Sequence, residues 1–489
     1  MSAGSPEPAH SSVIETPAAS PVARAPAPPS HANALEGLAQ SMRNFRQTIQ
    51  YRLSCYVLSH LQFLKMVFAV LRVVRPVMIV GNVLVVTKAR EVREVLERFD
   101  DFVLGESIEP GMPWGPFLMT VDWREQHARE RQMLQSAVNP ATDLGTIRTI
   151  AADVCRSRIE ALAATGRIDV VADLAEPVMV RIFADYFGIH PLAGDGRRMA
   201  SVMRHLAGII MVNPSVGSQA WLDSRTDIVC VTRQLMEQLA AEKAKAGDAP
   251  TASPQTLLTR LVRRHDQSAG PAWFDEDWIR RYLTGLIATG GATIVRGTAH
   301  AVDQLLERPD ALRRAQMLSG MLERAEGGDH GALSREAGRE PKADVEKSRD
   351  VLRQCIYEAL RFRPMLPLLV RDCPRETIIA NGTPRARLVP AGTRVIAPPL
   401  AAMFDPDAFP DPSSFRERPI ESYFHFGFGP RHCFGKYIAD IAMLEIVHAL
   451  MRLPGLARAA GSTGRVTYDG PAPCSLVATF EPRNRGATR

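Results

Sequence analysis

Cys433 stands in the run Phe426-Gly427-Phe428-Gly429-Pro430-Arg431-His432-Cys433-Phe434-Gly435, where glycine recurs at 427, 429 and 435. Glycine allows positive φ and close backbone approach, so this run can fold a tight loop beneath a flat ligand. An apolar-periodic stretch from Ile438 to Leu450 comes next and predicts a helix whose N-terminus lies next to the cysteine. Backbone N–H groups there, together with Arg431, His432 and Lys436, favour a thiolate. A thiolate in a dry, hydrogen-bonded loop suits axial ligation of a haem iron. A lone cysteine is otherwise most often a small buried core residue, and the glycine spacing argues against that reading.

Three further groups could do chemistry. His127 and Arg131 are four apart in a stretch that reads as a helix from about Trp123, so both fall on one face. Alone, such a pair is usually a solvated basic face. Glu358 and Arg361 fall at i, i+3 on another helix, where an exposed pair would contribute only about 0.2–0.5 kcal/mol. Gly290 and Gly291 sit mid-way along a helical stretch from Asp275 to Leu306, just before Thr293. Each glycine costs about 1 kcal/mol there relative to alanine, which either close helix packing or room for a ligand would explain.

The cysteine run matches the pattern Phe-Gly-x-Gly-x-Arg-x-Cys-x-Gly and resembles the haem-ligand loop of the cytochrome P450 family. The resemblance implies a mostly α fold with a small β region, haem b as cofactor and Cys433 as the iron ligand. It implies propionate binding by His127, Arg131 and Arg371, and cofactor contacts from Phe426 and Arg431. Thr293, Gly290 and Gly291 would form the distal oxygen site. Glu358 and Arg361 match the family's buried Glu-x-x-Arg, with Arg418 as the best match for its third arginine, although its spacing from Phe415 is one short. Substrate would meet Trp114, Phe117 and Leu118 on a loop, Ile209 and Ile210 on the roof of the pocket, and Leu366 and Leu368 beside the haem edge.

The elements that must position these residues are legible in outline. Residues 1–34 are rich in Ala, Pro and Ser and read as a disordered tail. Residues 35–74 form an N-terminal apolar helix region, 75–482 the haem domain and 483–489 a short C-terminal tail. The apolar run over 51–75 is broken by Arg52, His60, Lys65, Arg72 and Arg75, so it is too interrupted to span a bilayer. It reads as a packed first helix, or as a basic amphipathic helix lying on a membrane surface. Residues 77–87 read as two short strands turning at Gly81-Asn82, followed by a helix from Ala89 to Phe99. From Leu144 to Lys245 the chain reads as helical. Residues 322–348 read as a surface loop or disordered insertion, and Ile378 to Pro398 as a hairpin. Arg296 reads as a structural ion-pair partner.

The 489 residues carry a net charge of +6, spread along the chain, and no basic stripe points to nucleic acid. Seven scattered cysteines without a CxxC pair argue against a zinc site or disulfide scaffold and for a reducing, cytoplasmic setting. No basic region followed by an apolar core opens the chain, which argues against a secretory signal.

The expected activity is insertion of one oxygen atom from dioxygen into a small apolar organic substrate, by a monomer drawing electrons from a separate ferredoxin or flavodoxin with its reductase. Two alternatives stand beside it: a peroxide-using or hydroperoxide-rearranging enzyme, and a haem-binding sensor or carrier without turnover. The first alternative comes from Thr289-Gly290-Gly291-Ala292-Thr293, where Ala292 takes the place of the family's distal acid. Cleaving dioxygen requires protons, and alanine has none to relay. Poor coupling of reducing equivalents to product is therefore expected, and Ala292→Asp should improve it.

Overall fold

The computed structural model describes residues 46–104, 112, 114–245, 255–267, 271–326 and 341–483. The tail expected over 1–34 and residues 484–489 lie outside them. Two helices open the described chain, α1 (Arg46–Ser59) and α2 (Leu61–Val74). Strands β1 (Val77–Val80) and β2 (Val83–Val86) then pair antiparallel. The turn between them places Gly81 at φ 55°, a conformation that favours glycine. The helices α3 (Ala89–Glu97), α4 (Arg124–Ala137) and α5 (Pro140–Leu162) come after the hairpin.

A short strand β3 (Arg167–Asp169) interrupts the helical region, and α6 (Glu176–Ile182), α7 (Gly196–Val212) and α8 (Gln219–Lys245) complete it. Next come α9 (Leu257–Gln267), α10 (Glu276–Leu286), α11 (Ala292–Glu307), α12 (Pro309–Glu326) and α13 (Pro341–Phe362). The expected insertion over 322–348 is thus narrower than its composition suggested, because α12 continues to 326 and α13 begins at 341. Within α12, Glu323 pairs with Arg452, just past the end of the last helix, so this acid, read as part of a loop, lies on a helix surface.

The second half adds β4 (Leu369–Cys373), β5 (Thr377–Ile379), β6 (Arg387–Val389), β7 (Thr393–Ala397) and the short α14 (Pro399–Ala402). The helix α15 (Lys436–Met451) precedes β8 (Ala457–Arg458), β9 (Thr467–Asp469), β10 (Ala472–Ser475) and β11 (Val477–Thr479). The main sheet runs β1-β2-β7-β4, with β7 parallel to β2 and antiparallel to β4. Only β5 and β6 make the hairpin expected over 378–398. β7 leaves it because its inward-facing Thr393, Val395 and Ala397 are buried in the sheet.

The fold is mostly helical with a small β region, and α10 and α11 form its axis. Asp275 caps the start of α10, its carboxylate accepting from Trp278 N–H at 2.7 Å. A π-helical turn, Ile287–Gly291, joins α10 to α11. The 32 residues from 276 to 307 span about 48 Å at 1.5 Å per residue. One large apolar core gathers around this axis and a second lies under the β1-β2-β7-β4 sheet.

Candidate functional site

The cysteine loop is built by glycines and anchored by aromatics. Gly427 and Gly429 adopt φ 69° and 71°. A Cβ at Gly429 would lie 2.8 Å from Glu97 Cα, so only glycine lets the loop rest on α3. The Phe428 ring lies 3.6 Å from the Arg93 guanidinium and meets Phe424 edge-on at 4.7 Å. Cys433 N–H donates to Phe426 O at 2.9 Å, and α15 starts three residues later with Gly435 at its N-cap. Cys433 is accessible although protein surrounds its sulfur closely, as fits a residue facing a hollow in the molecule.

The thiol is not held as thiolate by the loop alone. Burial pushes its pKa above the ordinary value, outweighing the Gly435 backbone, Arg131 and Lys436, which pull it down. The expected help from Arg431 is missing because its guanidinium is spent on Asp122 and on Met119 O at 2.9 Å, over the Phe99 ring. His432 adds no charge either, since burial and then Arg131 push its pKa down. Deprotonation would therefore have to come from a bound cation, as metal ligation provides.

Around the loop lie two arginines and a histidine that form no ion pair among the described residues. Arg131 has no hydrogen bond or ion pair among the described residues, and its guanidinium lies 5.8 Å from the Phe434 ring. His127, 3% exposed, stacks obliquely on Phe99. Burial, then Arg431 and Arg131, push its pKa down to about 4. Arg371 on β4 is buried and donates only to Val370 O among the described residues, and burial pushes its pKa down to about 10. Buried cations without counter-charges are costly. Arg131 and Arg371, with the neutral His127 as a hydrogen-bond donor, lie near an accessible thiol and fit a metal-bearing group with pendant carboxylates, whereas Arg431 is already engaged by Asp122.

Gly290 and Gly291 lie side by side in the π turn but meet different surroundings. A Cβ on Gly290 would meet nothing within 4 Å, whereas one on Gly291 would lie 2.5 Å from Met203 Sδ and 3.2 Å from Phe183. Gly290 thus borders open space, and Gly291, expected at the oxygen site, is a helix-packing contact with α7. Thr293 Oγ1 donates to Thr289 O at 2.5 Å and lies 3.2 Å from Gly290 O. Ala292, 2% exposed, packs with Ala207 and Ala472.

Arg296, one turn beyond Ala292, is fully buried. It forms no ion pair among the described residues, contrary to expectation. It donates instead to Leu58 O at 2.6 Å and to Pro471 O, and its Nε has no partner. The carbonyl of Leu58 belongs to the C-terminal end of α1, the negative pole of that helix, which explains how a buried cation persists without a carboxylate.

The substrate candidates divide. Trp114, Phe117 and Leu118 are buried in the main core. Phe117 fills the space over Gly285, where a Cβ would lie 2.4 Å from its ring, and Trp114 Nε1 is buried without a partner. Ile209 is wholly buried in that core and Ile210 partly. Leu366 is half-buried. Leu368 packs instead with Leu61, Phe68 and Leu400 beneath α2, because the chain entering β4 passes the first helices there.

Behind the site, Glu358 and Arg361 are both fully buried. Glu358 accepts from Arg361 at 2.8 and 3.0 Å, Arg418 at 2.6 Å, Arg416 N–H at 3.1 Å and Tyr423 O–H at 2.8 Å. Arg361 also donates to the carbonyls of Met403, Pro412 and Ser414. Burial raises the Glu358 pKa, but Arg361, Arg418 and the Arg416 amide hold it below the ordinary value. The one-residue shortfall in the Arg418 spacing does not keep its guanidinium away. Sequence reasoning missed Tyr423 and Asp122; neither carries a spacing signal of its own.

The family model described as Cytochrome P450 matches residues 62–453. Linoleate diol synthase of Gaeumannomyces graminis is 47% identical over 76 residues, 15% of this chain and 6% of that protein. Steroid C26-monooxygenase of Mycolicibacterium smegmatis is 25% identical over 373 residues, 75% of this chain and 77% of that protein. The chain spans 6% to 32% of the length of the first curated relatives it matches. The crystal structure of P450BioI in complex with hexadec-9Z-enoic acid ligated acyl carrier protein superposes with TM-score 0.65 at 18% identity, covering 88% of this chain and all of that one. With a family match across most of its length, and a fold shared with a P450 structure, this chain belongs to the cytochrome P450 family, and membership implies a haem iron.

Proposed function

We propose that the chain is a haem-thiolate monooxygenase that inserts one oxygen atom from dioxygen into a small apolar organic substrate. The observation that carries this reading is the accessible Cys433 thiol in a glycine-built loop, with Arg131, His127 and Arg371 near it and none of the three in an ion pair among the described residues. Haem b bound there through Cys433 supplies activation of dioxygen and cleavage of its O–O bond. Arg131 and Arg371 bind the carboxylates of that group, the neutral His127 donates a hydrogen bond to them, and together they fix its orientation. Gly290 leaves room at the π turn, and Thr293 offers a hydroxyl that can donate to a ligand or a water if it releases the Thr289 carbonyl. The apolar side chains of Phe117, Leu118 and Ile210 exclude water from the approach. Electrons come from a separate ferredoxin or flavodoxin with its reductase.

A second reading rests on Ala292. With no acid at 292 and Thr293 bonded back to its own helix, an oxidant that already carries an O–O bond suits the site. Rearranging a fatty-acid hydroperoxide to a diol keeps both oxygen atoms and needs no electrons, and one relative is named for a diol of linoleate. The experiment is a screen of apolar ligands by haem absorbance shift, followed by product mass spectrometry on the hits. Linoleic acid with NADPH, a ferredoxin and its reductase is run beside linoleic acid hydroperoxide without reductant. Product only with the reductase system supports the monooxygenase. Product only from the hydroperoxide supports the second reading. No product from any hit in either reaction overturns both and favours a haem-binding sensor or carrier.

A further inference from the structure

We infer that the outward faces of α1 and α2 form a docking surface for an anionic lipid bilayer, with both helices lying flat on it. On α1, Ile49, Leu53 and Tyr56 recur at i, i+4 and i+7 and are at least 50% exposed. On α2, Phe63, Met66, Val70 and Val73 recur at i, i+3, i+7 and i+10 and are 57% to 84% exposed. These are the spacings of one helix face. Two exposed apolar stripes on successive helices are far from the scattered exposed apolar residues of an ordinary surface.

The inner faces are already committed. Leu61 and Phe68 pack on Leu400 and Ala401, and Arg72 donates to Ala401 O at 3.0 Å. Arg296 and Arg363 hold the last carbonyls of α1, Leu58 O and Ser59 O. The exposed stripes are therefore second apolar faces on helices whose core contacts are satisfied.

Charge selects the partner. Between Glu36 and Glu91 the chain contains no Asp or Glu, while Arg52, Lys65, Arg72, Arg75, Lys88 and Arg90 fall within it. Arg52, His60 and Arg75 are exposed beside the stripes. An apolar face edged by arginine, on two helices that carry no carboxylate of their own, fits anionic headgroups over acyl chains, although Asp223 and Asp469 lie near Tyr51 and Glu307 near Lys65. Among the described residues no single helix is long and apolar enough to cross a membrane, and α1 and α2 bend by 77° at their junction. The pair is thus shaped to lie on a bilayer rather than to thread it. The contact reaches the roof of the distal site, because the Tyr51 hydroxyl of α1 occupies the space beside Gly208 of α7 and Gly470 of the β9–β10 turn.

The test is co-sedimentation of the haem-loaded full chain with vesicles of phosphatidylcholine alone and with about one-third phosphatidylglycerol. The comparison variant is Phe63→Ser/Met66→Ser/Val70→Ser/Val73→Ser, with folding checked by the carbon monoxide difference spectrum. Each side chain that inserts is worth about tenfold in partition, so the variant should bind at least about 100-fold more weakly. Wild-type binding that favours phosphatidylglycerol and partly survives high salt supports the surface. Arg52→Glu/Arg75→Glu should lose the phosphatidylglycerol preference, which keeps the test decisive if the serine variant misfolds. No wild-type association with either vesicle overturns the proposal. So does binding that high salt abolishes and the serine substitutions leave unchanged, or a dimer that those substitutions dissolve in a chain that ignores vesicles.

Discussion

Placing an acid at position 292 tests what the distal wall can do. Read from the motif alone, Ala292→Asp restores a relay acid and improves coupling. The structure points elsewhere. Ala292 opens α11 and Arg296 lies one turn on, fully buried and without a carboxylate. Side chains at i and i+4 start about 6 Å apart and can meet. An aspartate about 4 Å from that guanidinium gains about 4 kcal/mol at an effective dielectric of 20. At 1.36 kcal/mol per pKa unit this lowers the carboxyl by about 3 units, against an upward push from burial among Ala207 and Ala472 that is also worth units. The two largely cancel, leaving the acid ionised at neutral pH, whereas a relay acid works best with a pKa near the operating pH.

The expected outcome is that Ala292→Asp changes product formed per NAD(P)H consumed by less than about twofold, measured with linoleic acid and a surrogate ferredoxin system beside a peroxide-only reaction. In Ala292→Asp/Arg296→Met the carboxyl keeps the burial and loses the partner, so its pKa should rise and coupling should improve about fivefold or more. The carbon monoxide spectrum verifies that each variant holds haem. A fivefold gain in the single variant would refute capture by Arg296, and no gain in a correctly folded double variant would refute the missing-relay argument itself.

Cys433→Ala should abolish the thiolate-type Soret band of the reduced, carbon monoxide-treated protein, and a band that persists would remove Cys433 as the ligand. His127→Ala/Arg131→Ala should lower haem content by more than half while helix content by circular dichroism stays constant, and full haem retention would count against propionate binding. Glu358→Gln should cost about 3–5 kcal/mol at neutral pH, because it leaves Arg361 and Arg418 buried without a counter-charge. The Glu358 pKa is held below its ordinary value of 4.5, so this contribution is present above that pH and is lost as pH falls through the folded-state value. Denaturation curves at pH 7 and pH 4 should show the gap between wild type and variant narrowing in acid.

The parts of the site legible in the sequence are those that local spacing determines. The glycines around Cys433, the one-face placement of His127 and Arg131, and the i, i+3 pair of Glu358 and Arg361 depend on neighbours within a few residues, so the helix or loop that carries them could be read. The four-strand sheet was harder, because β7 leaves the hairpin beside it to join β2, about 310 residues earlier in the chain. The distal wall was hardest. A π turn adds a residue to the helix at Ile287–Gly291 and rotates the residues of α11 relative to α10. Adjacent residues of a helix also face different directions, so the motif, which assigned Gly290 and Gly291 one role, missed that one borders open space and the other packs on Met203.

Arg296 shows the same limit from the other side. Its partners are carbonyls of Leu58 and Pro471, 238 and 175 residues away, and carbonyls carry no sequence signature. An arginine in a helix reads as one half of an ion pair until the C-terminal end of α1 is found beside it. Once that end is in place, Ala292 and Arg296 belong to one arrangement. A carboxylate at 292 would compete with α1 for the guanidinium, so the alanine that breaks the distal pattern also leaves Arg296 free to hold the first helix. The departure read from the motif as a missing catalytic group thus also leaves Arg296 donating to the end of α1 and to Pro471 O without a competing carboxylate one turn away.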